Sequence, residues 1–244
     1  MDITKVNEII LDYVSEQHNC NPEDWNQEAT VFVTNDKAPA PFLQITTMGK
    51  GALVSASPEL YPYVENLLQG KCRDEVFECP LVYGQSIYYV PDLSRVQAKS
   101  LSPKCEYRLY KFEEVKELRE LHGFENSIGF DEHGETPTCI ALCASIQGEI
   151  IAIAGASKEN DFIWQVGVDV LPKYRNLGLA TGLVSNLTME ILKEGIVPIY
   201  CASVTNVGSQ AVAARAGYLP RWVSTYRTIL DGSSSYNAML QSLK

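Results

Sequence analysis

The 244-residue sequence has no uninterrupted apolar run of the ~18 residues that a membrane-spanning helix needs. Its first stretch, MDITKVNEIILDYVSEQ, also lacks the basic start and continuous apolar block of a secretory signal. Asp2, Glu8 and Asp12 are instead interleaved with Ile3, Val6, Ile10, Tyr13 and Val14 at helical spacing. The seven cysteines are odd in number and none forms a C-x-x-C pair, which argues against a zinc ribbon or thioredoxin-type centre. A soluble cytoplasmic protein with reduced thiols and no metal is expected. There is no excess of positive charge: the formal net charge is −10, and no Lys/Arg stripe is interleaved with aromatics. Neither nucleic acid nor membrane is therefore an expected partner. No G-x-G-x-x-G or G-x-x-x-x-G-K-[ST] loop follows a strand, which disfavours a nucleotide-binding fold, and Met48-Gly49-Lys50-Gly51 reads as a hairpin turn.

Composition is otherwise that of a globular chain, with 45% hydrophobic and 20% charged residues. After a first helix ending near His18-Asn19, strand-like runs occur at 29–34, 42–47 and 52–56. Ser57-Pro58-Glu59 has the form of a helix start, and that helix is expected to reach Gln69. Further extended runs are read at 81–83 and 87–90. Residues 91–103, PDLSRVQAKSLSP, lose hydrophobic period and are read as a linker. The expected division is an α+β domain over 1–102, a second domain over 103–232 and a tail over 233–244.

In the second domain a strand (107–110), a helix (113–121) and a long mobile loop (123–137) lead to a hairpin of 139–146 and 150–156. A strand at 163–170, a helix at 179–193, a strand at 198–203 and a short helix at 209–216 follow. The fold class is α/β with a mixed sheet. Within it, Pro172 stops a strand, and Arg175-Asn176-Leu177-Gly178-Leu179-Ala180-Thr181 feeds directly into an apolar helix. Amides at a helix start point outward without internal partners, the helix dipole adds partial positive charge, and glycine permits close approach. Such a turn can hold a pyrophosphate; the plainer reading is an arginine and a glycine in a connecting loop.

Val170, Pro172, Arg175, Gly178 and Ala180 resemble motif A of the GNAT acetyltransferases, in which a strand ending V-x-P precedes [QR]-x-x-G-x-[GA]. Asn206-Val207-Gly208-Ser209 followed by Gly217-Tyr218 resembles the family's later block. The resemblance spans about Tyr107 to Leu230, and some bacterial members carry an extra amino-terminal domain. It implies splayed central strands, with the pantetheine arm of acetyl-CoA lying along Val168, Asp169 and Val170. The pyrophosphate would rest on residues 175–181, and Asn206 and Ser209 would bind nearby. Asn206 can also simply cap a helix.

The implied reaction is acetyl transfer from acetyl-CoA to a primary amine of a small molecule or peptide, by a monomer or homodimer. The positions that commonly handle protons in the family are Cys201 and Ala213 here, and neither can serve in the usual way. Asp169 and Tyr218 remain as candidates, with Tyr226 a further hydroxyl; His122 and His133 are expected to be exposed. A catalytically silent acyl-CoA-binding module, acting as a sensor or regulator, is the competing reading.

Overall fold

Residues 1–79 and 84–227 are described in the computed structural model of the protein. The expected strand at 81–83 and the tail over 233–244 lie outside them. In chain order the elements are α1 (Ile3–His18), β1 (Val31–Thr34), β2 (Leu43–Thr47), β3 (Leu53–Ala56), α2 (Tyr61–Leu68), α3 (Arg73–Phe77), β4 (Gln85–Pro91) and β5 (Glu106–Lys111). There follow β6 (Thr138–Ile146), β7 (Glu149–Lys158), β8 (Ile163–Val170), α4 (Leu179–Lys193), β9 (Val197–Ser203), α5 (Val207–Ala216) and β10 (Tyr218–Thr225). None of the described helices is long and apolar enough to cross a membrane.

The chain forms two compact units. One comprises Met1–Val6 and Tyr89–Pro220; the other comprises Asn7–Tyr88 and the residues from Arg221 onward. This differs from the expected boundary at 102/103, because residues 91–103, although mostly exposed beyond Pro91, are hydrogen-bonded to the rest of the larger unit. Asp92 N–H donates to the Gly217 carbonyl, and the Asn186 amide donates to the Lys99 carbonyl at 2.8 Å. Gly217, at φ +96°, lies so close to the Val96 backbone that a Cβ would be crowded. Pro and Ser removed the hydrophobic period without freeing the segment.

In the larger unit β5, β6, β7 and β8 run antiparallel in sequence, and β9 joins β8 in parallel. Ile140, Ile151, Ile153, Ile163, Leu183, Val184, Leu187 and Ile191 are fully or almost fully buried there. The buried stripe of α4 is therefore a core face, as its 3.6-residue spacing requires. The expected helix over 113–121 is a 3-10 segment, Phe112–Leu118, whose Val115 and Leu118 are buried. In the smaller unit β1 is parallel to β3, β2 is antiparallel to β3, and Val223 and Ser224 of β10 pair with Thr47 and Thr46 of β2. Leu43, Ile45, Val54, Val64, Leu68 and Val76 form its core. The helix expected from Ser57 begins at Tyr61 instead, since the Ser57 hydroxyl accepts from Phe42 N–H and donates to Glu59.

Candidate functional site

Strand β8 changes character along its length. Its first half pairs with β9 from Ile163–Val197 to Val166–Tyr200, and there the pairing ends. Its second half, Gly167–Val170, remains paired only on the other side, with Ala152–Gly155 of β7. Leu171 N–H donates to Ile151 of β7, so by strand alternation the peptide groups of Val168 and Val170 point toward the β9 side. The two central strands thus separate where an extended arm could pair with those amides.

Just beyond, the chain turns into α4 through two left-handed residues, Asn176 at φ +64° and Gly178 at φ +77°. Gly178 is the N-cap, and nothing lies within 4 Å of the position a Cβ would occupy. The first helical bond runs from Gly182 N–H to the Gly178 carbonyl. The amides of Leu179, Ala180 and Thr181 therefore precede the helical ladder and are available to an anion. Arg175 and Leu177 are exposed, and the Arg175 Nε donates to the Val170 carbonyl at 3.0 Å. That bond ties the turn to the end of the splayed strand. A pocket bounded by Ser100, Leu101, Tyr107, Leu177, Gly178 and Gly182 opens beside the same helix start.

Asn206 caps α5 through its side-chain oxygen, which accepts from Ser209 N–H at 3.1 Å. Its amide nitrogen is the part left for a ligand, so capping and binding are compatible. The Ser209 hydroxyl lies 2.9 Å from that of Tyr200, a buried β9 residue not singled out by sequence reasoning. Burial raises the Tyr200 pKa, with the Asp169 charge adding to the effect, so the phenol stays protonated at neutral pH. Ala213 is fully buried, and Cys201 is half-buried.

The weaker candidates separate. Tyr218 is buried against α4, its hydroxyl 2.6 Å from Thr188 Oγ1; Thr188 in turn donates to the Val184 carbonyl. The Tyr218 proton is thereby directed to Thr188 within the core, and burial raises its pKa further. Tyr226 belongs to the smaller unit, where its ring lies against Gly84. His122 and His133 are exposed.

Asp169 is held by the loop that the sequence suggested was mobile. Its Oδ2 accepts from the backbone N–H groups of Asn126 and Ser127, each at 2.8 Å, and its Oδ1 accepts from Asn126 Nδ2 at 2.7 Å. The Ser127 hydroxyl sits 3.0 Å from Oδ2 and 2.9 Å from the Phe124 carbonyl, sharing one proton between them. Beneath the loop, Gly155 and Gly167 are register partners across β7 and β8. A Cβ at Gly155 would strike the Ser127 carbonyl, and one at Gly167 would strike that of Asn126. Glycine inside a strand marks this kind of backbone approach, and that was the available signal. Phe124, Ser127 and Ile128 are buried, so this part of the loop is anchored.

No curated protein sequence matches the chain. Among solved structures, a GCN5-related N-acetyltransferase-like protein from Streptococcus suis is similar at 14% identity and a TM-score of 0.48, covering 71% of this chain and 78% of its own. A GCN5-related N-acetyltransferase from Kribbella flavida is similar at 15% identity and a TM-score of 0.45, covering 59% and 57%. The yncA protein of Salmonella typhimurium, solved with its cofactor acetyl-CoA, is similar at 18% identity and a TM-score of 0.32, covering 41% and 69%. Residues 101–218 match the model of the acetyltransferase (GNAT) family, and this chain carries a GNAT acetyltransferase domain.

Proposed function

We propose that this protein is an N-acetyltransferase that moves an acetyl group from acetyl-CoA to a primary amine of a small molecule or peptide. The observation that carries this reading is the end of β8–β9 pairing at Val166–Tyr200, beside the left-handed turn that opens α4. The residues fit the ligand in chemical terms. The Val168 and Val170 peptide groups suit the amides of a pantetheine arm, the amides of residues 179–181 suit a pyrophosphate, and Asn206 retains its amide nitrogen. Acetyl-CoA supplies an activated thioester carbonyl.

A backbone N–H near Val170 stabilises the negative charge that develops on the carbonyl oxygen. The ammonium first loses a proton to solvent, the neutral amine nitrogen adds to the carbonyl carbon, and as the C–S bond breaks the nitrogen gives up a second proton to solvent, leaving the neutral amide. We assign delivery of a proton to the departing sulfur to Tyr200 acting through Ser209, since Ala213 has no proton to give and Tyr218 is bound to Thr188. The free-thiol readout of an amine panel with acetyl-CoA tests the function: amine-dependent thiol release is expected. Saturable acetyl-CoA binding without release for any amine would support the silent acyl-CoA-binding module, which the Cys201 and Ala213 positions permit. No binding at all would end both readings.

A further inference from the structure

Asp169 sits one residue from both Val168 and Val170, on the strand assigned to the acyl arm, yet alternation turns its side chain to the opposite face of the sheet from theirs. On that face it meets residues 126 and 127, whose two backbone N–H groups and one side-chain amide converge on a single carboxylate. Hydrogen bonds to a charged group are about twice as strong as neutral ones. The glycines at 155 and 167 leave the space that the Ser127 and Asn126 carbonyls occupy against the sheet. Two independent features, one electrostatic and one steric, thus fix the same two loop residues.

We infer that Asp169 is a positioning residue which clamps residues 124–128 to β7 and β8 and so sets one wall of the amine site, a role that rests on the acetyltransferase reading above. The carboxylate is committed to the loop and does not act as the general base. Specificity for the amine then depends on a contact bridging 43 residues of sequence between Asn126 and Asp169.

Substitution of Asp169→Asn makes a distinctive prediction. The new amide oxygen can replace Oδ2 toward the backbone N–H groups, and Asn126 can flip its amide to accept from the new NH2, but every one of these bonds loses its charged acceptor. Exchanging the pair, as Asp169→Asn with Asn126→Asp, returns a charged acceptor to the side-chain bond. Amide hydrogen exchange in the full chain should show faster exchange at residues 123–128 in Asp169→Asn, by about tenfold for a loss near 1.4 kcal/mol. The exchanged pair should recover most of the protection, and Asn126→Ala, which removes one exposed donor, should show a smaller shift in the same direction.

Steady-state kinetics should show the amine KM rising several-fold more than the acetyl-CoA KM in Asp169→Asn, with recovery in the exchanged pair. Unchanged exchange at residues 123–128 in Asp169→Asn overturns the clamp. Faster exchange accompanied by equal changes in both KM values, or by no recovery in the exchanged pair, overturns the wall. If the wild type acetylates no amine, the function reading and the acceptor role fail together, while the exchange experiment still decides whether the carboxylate holds the loop.

Discussion

The two units place polar groups in opposite ways. In the smaller unit many are buried and bonded to one another: Thr46 Oγ1 lies 2.9 Å from His18 Nε2 and 2.7 Å from Ser224 Oγ, Gln44 donates to the Thr225 carbonyl at 3.1 Å, and Trp25 Nε1 donates to Ser15 at 2.9 Å, while His18 Nδ1 and Gln44 Oε1 have no partner among the described residues. In the larger unit, apart from the buried Tyr218–Thr188 pair, the notable polar groups gather at strand ends and helix starts, around β8, α4 and α5. A buried network bonded mostly within itself specifies a core, whereas peptide groups left ahead of a helical ladder await a ligand. The contrast separates a polar cluster that stabilises from one that binds.

Substitutions that attack each kind of cluster sharpen the difference. The largest effect is expected from Gly178→Asp in the larger unit. Open space surrounds Gly178, so the side chain fits, but its carboxylate would stand against the phosphates. Like charges about 4 Å apart repel by roughly 4 kcal/mol near a protein surface, enough to reduce acetyl-CoA affinity by more than about 100-fold. Calorimetry checks this, with Gly178→Ala reporting the left-handed strain alone, roughly 1 kcal/mol.

Gly167→Ala comes next, because its Cβ meets the Asn126 carbonyl and cannot be accommodated without lifting the loop. A cost of about 1–3 kcal/mol is expected in thermal or urea unfolding, with residues 123–128 losing exchange protection.

The smaller unit should respond to pH instead of ligand. Burial, with a contribution from the Arg227 charge, lowers the His18 pKa from 6.5 to about 3. Its Nδ1 has no partner among the described residues, which suits a neutral ring donating from Nε2 to Thr46. Protonation therefore favours the unfolded chain. The stability from burying neutral His18 is complete above about pH 6.5 and falls as pH drops toward 3, by up to about 1.4 kcal/mol per unit. Urea midpoints between pH 7 and pH 4 should show this slope, and His18→Gln should flatten it. The smallest effect is expected from Tyr218→Phe. It removes the hydroxyl bonded to Thr188 and should cost about 1 kcal/mol of stability while changing turnover less than twofold.

The sequence revealed what local periodicity and punctuation encode. Helix α4 runs over Leu179–Lys193 as its apolar spacing indicated, and Pro172 and Gly178 mark the strand end and the turn. Helix α5 starts two residues before the expected Ser209, because Asn206 supplies the cap. Other features depend on distant partners. Strand β10 is held by partners remote in sequence, with Trp222 and Tyr88 stacked at 4.6 Å between ring centroids, and the short helix α3 is too brief to carry a periodic signal. The anchoring of Asn126 and Ser127 follows from Asp169, Gly155 and Gly167, and no local window contains all of them. Tyr200 reads as an ordinary strand aromatic until α5 brings Ser209 to its hydroxyl.

The most direct test of the central claim is amide exchange across the wild-type chain with and without acetyl-CoA. The account predicts added protection at Val168–Val170 and at Arg175–Thr181, with little change in the smaller unit. Saturable binding that leaves both segments unprotected, or that protects the smaller unit instead, would contradict it.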